Sequence, residues 1–451
     1  MLRYLIVGAG RSALGACKLL LRDGNAVTIS DIEEKFPAAL MEIRASGARV
    51  IIGPQGESLL TGIDRIVVSP GLSPKIPLLT KARALNIPIV SEIDIALERY
   101  AGLVLGVTGT NGKSTTTLLL AHFLKASGLD AEASGNIGIA PSLLLAEGKR
   151  PEALVLELSS YQLDYSARLP SRVALFMSFA PDHMERHGTL KAYFQAKWKL
   201  IEACEGLIIM PRKIIECALA YQVPVPKVPI AQILIDDEAF IPYGQSVPVT
   251  IGSRSQSLSS ELLPSPAALF FPLPLERHNQ LNVAAALVAA HFIRPYPHYL
   301  QSLDSFAWLP YRFQNIGSIG GQSVYNDSKS TNVESTEIAL QSLAAPCILL
   351  LGGAPKGESY APLLAQRAKI SMLISFGAAG AQINQDLAAL QPLSFPSLKA
   401  ALSALPGLMQ KHPGPLVFSP ANASFDEFQN FEERGAFFNA AVTPLLDPKN
   451  F

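Results

Sequence analysis

A chain of 451 residues is long for one hydrophobic core and points to two to four domains. Lysine plus arginine and aspartate plus glutamate both number 37, so the formal net charge is zero and a nucleic-acid-binding surface is not expected. The sequence is 49% hydrophobic and 16% charged, which fits buried structure rather than disorder; no apolar run approaches the ~20 residues of a membrane span, and four scattered cysteines show neither metal-ligand spacing nor a disulfide framework.

At the start, the apolar run reaches Gly8 too soon for the core of a signal peptide, so a cytoplasmic, reduced protein without membrane insertion is expected. Short β-rich runs at residues 4–7, 27–30, 49–52, 66–69 and 87–90 alternate with helix-like stretches, the pattern of a parallel, doubly wound α/β sheet. The turn Gly8-Ala9-Gly10-Arg11-Ser12-Ala13, with Asp31 at the end of the second run, forms a diphosphate-binding fingerprint with alanine in the third glycine's place. Taken alone it fits a dinucleotide such as NAD or a UDP-sugar. Residues 91–100 read as the connection to a second unit.

That unit opens with Leu103-Val104-Leu105, followed by Gly106-Val107-Thr108-Gly109-Thr110-Asn111-Gly112-Lys113-Ser114-Thr115-Thr116 and a helix-like stretch through Leu118, Leu119, Leu120 and Leu124. Such a turn cradles phosphates: glycines let backbone N–H groups approach, the helix N-terminus adds positive partial charge, and the lysine adds a full one. The hydroxyl after the lysine suits a nucleotide-bound Mg²⁺. The spacing is irregular, because Val107 stands where the usual P-loop has glycine. Further on, Leu154-Val155-Leu156 leads into Glu157-Leu158-Ser159-Ser160, and residues 173–177 lead into Ser178-Phe179-Ala180-Pro181-Asp182-His183. Polar groups thus fall where strands end, at the ligand crevice of an open α/β sheet. Residues 189–204 read as a helix with Tyr193, Lys197 and Ile201 on one face. Residues 211–275 are expected to be peripheral strands and loops, and residues 279–293 an apolar helix with Pro295 and Pro297 beyond it. The last unit alternates again, with strands expected at 323–325, 348–351, 373–376 and 416–418.

The loop at residues 106–115 resembles that of the Mur ligases, ATP-dependent amide-bond-forming enzymes of peptidoglycan precursor synthesis, and more loosely that of folylpolyglutamate synthetases. Glu157-Leu158-Ser159-Ser160-Tyr161-Gln162-Leu163, Asn326-Asp327-Ser328-Lys329-Ser330-Thr331-Asn332 and Ser419-Pro420-Ala421-Asn422-Ala423-Ser424-Phe425-Asp426 are similar to segments of the D-glutamate-adding branch. The matches run in order from Gly8 to Arg434. The resemblance implies an α/β fold of three domains: an N-terminal Rossmann-like UDP-sugar domain (residues 1–94), a central P-loop ATPase with a mostly parallel sheet (95–296) and a C-terminal Rossmann-like α/β domain for the amino acid (297–451). It also implies the chemistry: ATP phosphorylates the carboxylate of UDP-N-acetylmuramoyl-L-alanine, and the amine of D-glutamate displaces phosphate. The first turn is thereby read as a UDP site, and a monomer is expected.

Residue by residue, the resemblance makes Lys113, Glu157, His183 and Lys197 the catalytic set. Ser114, Thr115, Glu157, His183 and a carbamylated Lys197 would hold Mg²⁺ at two sites. A lone helical lysine is ordinarily solvated, so only the resemblance gives Lys197 this role. ATP would meet Gly109, Thr110, Asn111, Gly112, Lys113, Ser114, Thr115, Asn279, Asn282, Arg312, Asp327 and Lys329. Gly10, Arg11, Ser12, Asp31, Ser69 and Gly71 would take the UDP end, and Asn136, Ser159 and Gln162 the muramoyl-alanyl end. Thr331, Lys356, Ser424, Phe425 and Phe431 match positions that hold D-glutamate. The chain departs from the family's usual pattern at Asn422, where cysteine is common, at Tyr311 and Gln314 around Arg312, and at Ala354-Pro355 before Lys356. Competing readings are another Mur ligase or a folylpolyglutamate-type synthetase, a P-loop switch or motor, and an NAD-dependent oxidoreductase built on the first turn. Closure around three substrates is expected to turn about residues 91–100 and 294–299.

Overall fold

The computed structural model describes residues 1–34, 37–166, 169–235, 238–252, 257–259, 277–410, 412 and 414–448. Its strands are β1 (Arg3–Val7), β2 (Ala26–Asp31), β3 (Arg49–Ile52), β4 (Arg65–Val68), β5 (Ile89–Val90), β6 (Leu103–Thr108), β7 (Ala131–Gly135), β8 (Ala153–Glu157), β9 (Ser171–Phe176), β10 (Cys204–Pro211), β11 (Ile230–Ile235), β12 (Ser246–Gly252), β13 (Ser257–Ser259), β14 (Gln314–Ile319), β15 (Gln322–Asn326), β16 (Cys347–Gly352), β17 (Ile370–Phe376), β18 (Leu393–Phe395) and β19 (Leu416–Ala421). They form three sheets, ordered β3-β2-β1-β4-β5, β13-β12-β11-β10-β9-β6-β8-β7 and β14-β15-β19-β16-β17-β18. All paired strands run parallel except β12 with β13 and β14 with β15, so the expected α/β class holds.

The central strands are legible because both faces are covered by helices. β8 reads Ala-Leu-Val-Leu-Glu and β16 Cys-Ile-Leu-Leu-Leu-Gly, with every residue buried. A strand buried on both sides needs no polar alternation. In the second sheet β6 lies between β8 and β9, with later strands continuing on the β9 side and β7 beyond β8. Strand order therefore reverses at β6, the switch point whose carboxyl end forms the ligand crevice of such sheets.

Contacts divide the chain into two compact units, Met1–Phe179 with Met184–Phe306, and Ala180–His183 with Ala307–Phe451. The first unit contains two sheets with shared cores. Tyr165, from the second sheet's side, packs in one cluster with Leu5, Val7, Ile66 and Val68 of the first, and Leu145 joins Tyr4, Ile6 and Leu20 in another. Residues 91–100, expected as a connection and a hinge, contain the helix Glu92–Leu97, all six residues of which are buried. Its start carries a capping box in which Ser91 Oγ accepts from Asp94 N–H and the Asp94 carboxylate accepts from Ser91 N–H. The 94/95 domain boundary falls inside this helix. Residues 211–275, expected to be peripheral, supply the helix Arg212–Tyr221 and the strands β11, β12 and β13 that extend the second sheet; residues 236–237, 253–256 and 260–276 lie outside the described residues. The expected helices in the middle of the chain form at Leu190–Glu202, where Thr189 Oγ1 accepts the N-capping hydrogen bond from Ala192, and at Arg277–Ile293.

Candidate active site

β6 and the loop after it depend on three glycines with different constraints. A Cβ on Gly106 would lie 2.5 Å from Leu200 Cδ1, so the strand needs glycine to pack against the helix Leu190–Glu202. Gly109 (φ 151°) and Gly112 (φ 82°) sit in the left-handed half of φ space, and a Cβ on Gly112 would meet Asn282 Oδ1 at 2.8 Å. Gly112 caps the helix Lys113–Ala126, whose first turn buries Ser114 and Thr115. The loop is stapled to the end of β9: Asn111 N–H donates to Ser178 Oγ (2.7 Å) and Thr110 N–H to Ser178 O (2.8 Å). Lys113 Nζ curls back to Gly109 O (2.9 Å) and Thr110 O (2.7 Å). Asn282 joins the same site, accepting from Thr116 Oγ1 (3.2 Å) while its amide faces Asn279 Oδ1 (3.4 Å). Asn282 is thus brought to the loop's helix from 166 residues away in sequence, with Asn279 beside it.

Two charged side chains complete this end of the sheet. Glu157, 2% exposed, ends β8; its Oε1 accepts from Asn136 Nδ2 (2.8 Å), and its buried Oε2 has no hydrogen-bond partner among the described residues. A buried carboxylate oxygen left in that state is costly unless a cation or donor reaches it. Lys197, 1% exposed, donates to the Gly109 carbonyl (2.7 Å) and lies 4.7 Å from the Tyr193 ring centroid. Lys113 and Lys197 therefore share one carbonyl. The sequence reading of Lys197 on one helix face with Tyr193 agrees with this geometry, but that face is buried rather than solvated. Ser159 and Gln162 serve each other: Ser159 Oγ accepts from Gln162 N–H, while the Gln162 side-chain oxygen accepts from Ser159 N–H (3.0 Å) and Oγ (2.9 Å) at the start of the helix Ser160–Tyr165. Asn136, expected at the muramoyl end, is tied to Glu157 in this structure.

In the first sheet, Gly10 caps the helix Arg11–Arg22. Asp31 accepts at Oδ2 from Ala9 N–H (2.7 Å), fixing the turn, and Ser69 Oγ donates to Gly8 O (3.1 Å). Ser12 is half-buried and Gly71 exposed beside these turns; the Arg11 side chain lies outside the described residues.

The second unit gathers the other sequence-selected residues. Asp327 is 8% exposed and accepts from Phe313 N–H (2.9 Å) and Ser419 Oγ (2.7 Å); burial raises its carboxyl to about 7. Arg312 lies between Tyr311 and Phe313, both at positive φ, a conformation uncommon outside glycine. Lys329 Nζ sits 4.0 Å from the Phe431 ring centroid. Thr331 is half-buried, Ser424 buried and Phe425 75% exposed. Lys356 Nζ pairs with Asp182 Oδ1 (3.2 Å), and His183, at φ 58°, has its ring 3.6 Å from the same carboxylate. At the Asn422 departure, Asn422 Oδ1 accepts from Tyr360 Oη (2.6 Å).

Two residues were given no individual role by the sequence. Ser178 holds the nucleotide loop, and its only sequence signal was its place at a strand end. Arg434, fully buried, donates to Ser328 Oγ and O, Asn422 O and Ala423 O, so one guanidinium ties together two of the motif segments. Burial lowers it to about 10. An arginine in a helical stretch gives no sign in sequence of being a core residue.

Among the described residues no three His, Cys, Asp or Glu side chains converge on a metal position. The orphaned Glu157 oxygen beside a phosphate-type loop nevertheless fits Mg²⁺, which takes few protein carboxylates and completes its shell with phosphate oxygens and water.

Comparison with known proteins agrees with this architecture. The family model of the Mur ligase middle domain matches residues 107–290, and that of the Mur ligase MurD-like N-terminal domain matches residues 3–91. The UDP-N-acetylmuramoylalanine–D-glutamate ligase of Synechococcus sp. (strain CC9605) is 30% identical over 99% of this chain and 100% of its own, and that of Leptospira interrogans serovar copenhageni is 34% identical over 99% and 97%. Among solved structures, MurF of Thermotoga maritima in complex with ADP matches with a TM-score of 0.59 at 16% identity, covering 93% of this chain and 95% of its own. MurC of the same organism matches with a TM-score of 0.57 at 17% identity over 98% and 100%. Those two likenesses bear on the fold alone. With relatives of this identity along its whole length, the chain belongs to the UDP-N-acetylmuramoylalanine–D-glutamate ligase family of Mur ligases.

Proposed function

We propose that the chain is an ATP-dependent ligase that adds D-glutamate to UDP-N-acetylmuramoyl-L-alanine in the cytoplasm. The carboxylate of the sugar-peptide attacks the γ-phosphorus and releases ADP; the amine of D-glutamate then attacks the acyl carbon, and the tetrahedral intermediate expels phosphate and loses a proton. The observation that carries this reading is the pairing, at adjacent strand ends, of a phosphate-binding loop with a buried carboxylate oxygen that lacks a partner among the described residues.

Anion must approach anion in the first step, so positive charge has to gather at the γ-phosphate. The backbone N–H groups at the start of the helix Lys113–Ala126 and the Lys113 ammonium provide it. Mg²⁺, held by Ser114 or Thr115 and by Glu157, would supply Lewis-acid charge neutralisation there. His183 is proposed as a further ligand at a second metal position. Asn136 orients Glu157 through its amide. Asn279, Asn282, Arg312, Asp327 and Lys329 are proposed as nucleotide contacts, and Thr331, Lys356, Ser424, Phe425 and Phe431 as the D-glutamate site, with Lys356 the cation for a side-chain or α-carboxylate. Gly10, Arg11, Ser12, Asp31, Ser69 and Gly71 are proposed for UDP. Ser159 and Gln162 are proposed for the muramoyl-alanine end, with the Gln162 side-chain oxygen engaged by Ser159 and its amide nitrogen outside that pair of bonds.

Carbamylation of Lys197 belongs to the same proposal. Two ammonium groups on one carbonyl repel each other. Addition of CO₂ to the neutral Lys197 amine, with loss of a proton, would make Nζ a carbamate nitrogen that still donates to Gly109 O and an anion able to face Mg²⁺. The function is tested by phosphate release from ATP with UDP-N-acetylmuramoyl-L-alanine and a panel of D-glutamate, L-glutamate, L-alanine, L-lysine and diaminopimelate. Release is expected with D-glutamate alone; equal release with L-glutamate, or without any amino acid, would reject the reading.

A further inference from the structure

Arg186, in the short helix Met184–His187, makes a set of contacts that the proposed chemistry does not use. Its side chain is only 6% exposed. Nε donates to Asp164 Oδ2 (3.1 Å), one terminal nitrogen donates to Leu72 O, and the guanidinium lies 4.5 Å from the Tyr161 ring centroid and 5.4 Å from that of Tyr165. Tyr165 Oη donates to the same Leu72 carbonyl (2.8 Å). The other terminal nitrogen is buried with no partner among the described residues. A buried guanidinium that leaves one nitrogen unsatisfied is retained for the contacts its other two make.

Leu72 closes the turn that carries Ser69 and Gly71, with its N–H donating to Ser69 O (3.1 Å). Ser69 Oγ in turn donates to Gly8 O, and a Cβ on Gly8 would meet Ser69 at 2.7 Å and Leu72 Cδ1 at 3.3 Å. The first turn proposed for UDP is thus tied through Ser69 to the second, which Leu72 closes. On the other side, Asp164, Tyr161 and Tyr165 belong to the helix Ser160–Tyr165, which begins with Ser159 and includes Gln162. We propose that Arg186 is a positioning residue that latches the UDP-end turns to the helix of the muramoyl-alanine end, so that a long sugar-nucleotide finds both ends of its site in register. The proposal rests on the function proposed above for its substrate, though not for the latch.

The test uses the full chain with Arg186→Met, which keeps the apolar stem and removes the donors, Arg186→Lys, and Tyr165→Phe, which removes only the second donor to Leu72. Hydrogen exchange of the unliganded protein comes first, because it needs no substrate: the segment at residues 69–75 is expected to exchange about tenfold faster in Arg186→Met, by loss of a charged hydrogen bond. In turnover, KM for the UDP-sugar is expected to rise about tenfold in Arg186→Met and less in Arg186→Lys, whose point charge replaces the planar fork, with KM for ATP and D-glutamate and kcat nearly unchanged. Tyr165→Phe is expected to shift the same KM in the same direction by a smaller factor, so the latch remains testable if Arg186→Met does not fold. Unchanged exchange would overturn the latch, and faster exchange with an unchanged UDP-sugar KM, or an equal rise in all three KM values, would overturn the positioning role. A wild-type chain inactive with UDP-N-acetylmuramoyl-L-alanine would instead reject the proposed function, leaving the exchange result to decide the latch.

Discussion

Glu157 and Lys197 each hold a charge in a buried place, whereas Gly112 avoids a conflict that any other residue would create. Gly112→Ala would force a side chain into φ 82° against Asn282, and with strain of ~1–3 kcal/mol the KM for ATP is expected to rise about tenfold or more in steady-state assays. An unchanged KM would mean that the loop relaxes without cost. Lys197→Ala is expected to lower kcat by at least ~100-fold, with partial recovery in added formate or acetate if a carbamate anion is what the site lost. Full activity without added acid would sink the carbamate. The partner of Asn422 was invisible in sequence, because Tyr360 is 62 residues away and only the fold sets their oxygens 2.6 Å apart.

Strand legibility followed apolar content rather than position in the sheet, since β3 and β5 were expected from the sequence although they edge the first sheet. β8 and β16 announce themselves as continuous apolar runs, whereas β7 (Ala-Glu-Ala-Ser-Gly) and β18 (Leu-Ser-Phe) lie at sheet edges and carry little apolar pattern. The helix Glu92–Leu97 was hidden for a different reason. It is six residues long, so its acidic residues read as a polar connection, although Ser91 and Asp94 are the two members of a capping box. Ser91→Ala removes the cap oxygen, and a loss of about 1 kcal/mol is expected in denaturant unfolding of the first unit. An unchanged midpoint would show that Ser166, which shares a hydrogen bond with Ser91, takes over.

At the scale of the molecule, the first and second sheets share hydrophobic clusters, so they are expected to melt in one calorimetric transition. Glu92 lies where they meet, its Oε1 accepting from Ser142 N–H (2.7 Å), and burial raises its carboxyl from the ordinary range to about 7. Between an unfolded value near 4.5 and the folded value near 7 the folded chain holds the extra proton, so stability is fully present below the lower value and falls as pH rises through the upper one. Glu92→Gln keeps an acceptor for Ser142 and should remove that fall, worth up to about 3 kcal/mol, from the first unit's melting between pH 5 and 8. Asp327, likewise raised to about 7, would leave a similar fall in the second unit untouched. Identical pH profiles for wild type and variant would show that Glu92 is not held protonated.

The strand-glycine-lysine-helix run and the continuous apolar strands are local patterns, and local patterns are what a sequence displays. They sufficed for the α/β class, the nucleotide loop and the family. Which groups converge was decided by the tertiary structure: the Lys113 and Lys197 pair on one carbonyl, the Glu157 oxygen without a partner among the described residues, and the buried guanidinium groups of Arg434 and Arg186. Each depends on segments tens to hundreds of residues apart, brought together by strand order and burial, and a charged residue looks the same in sequence whether it faces water or fills a core.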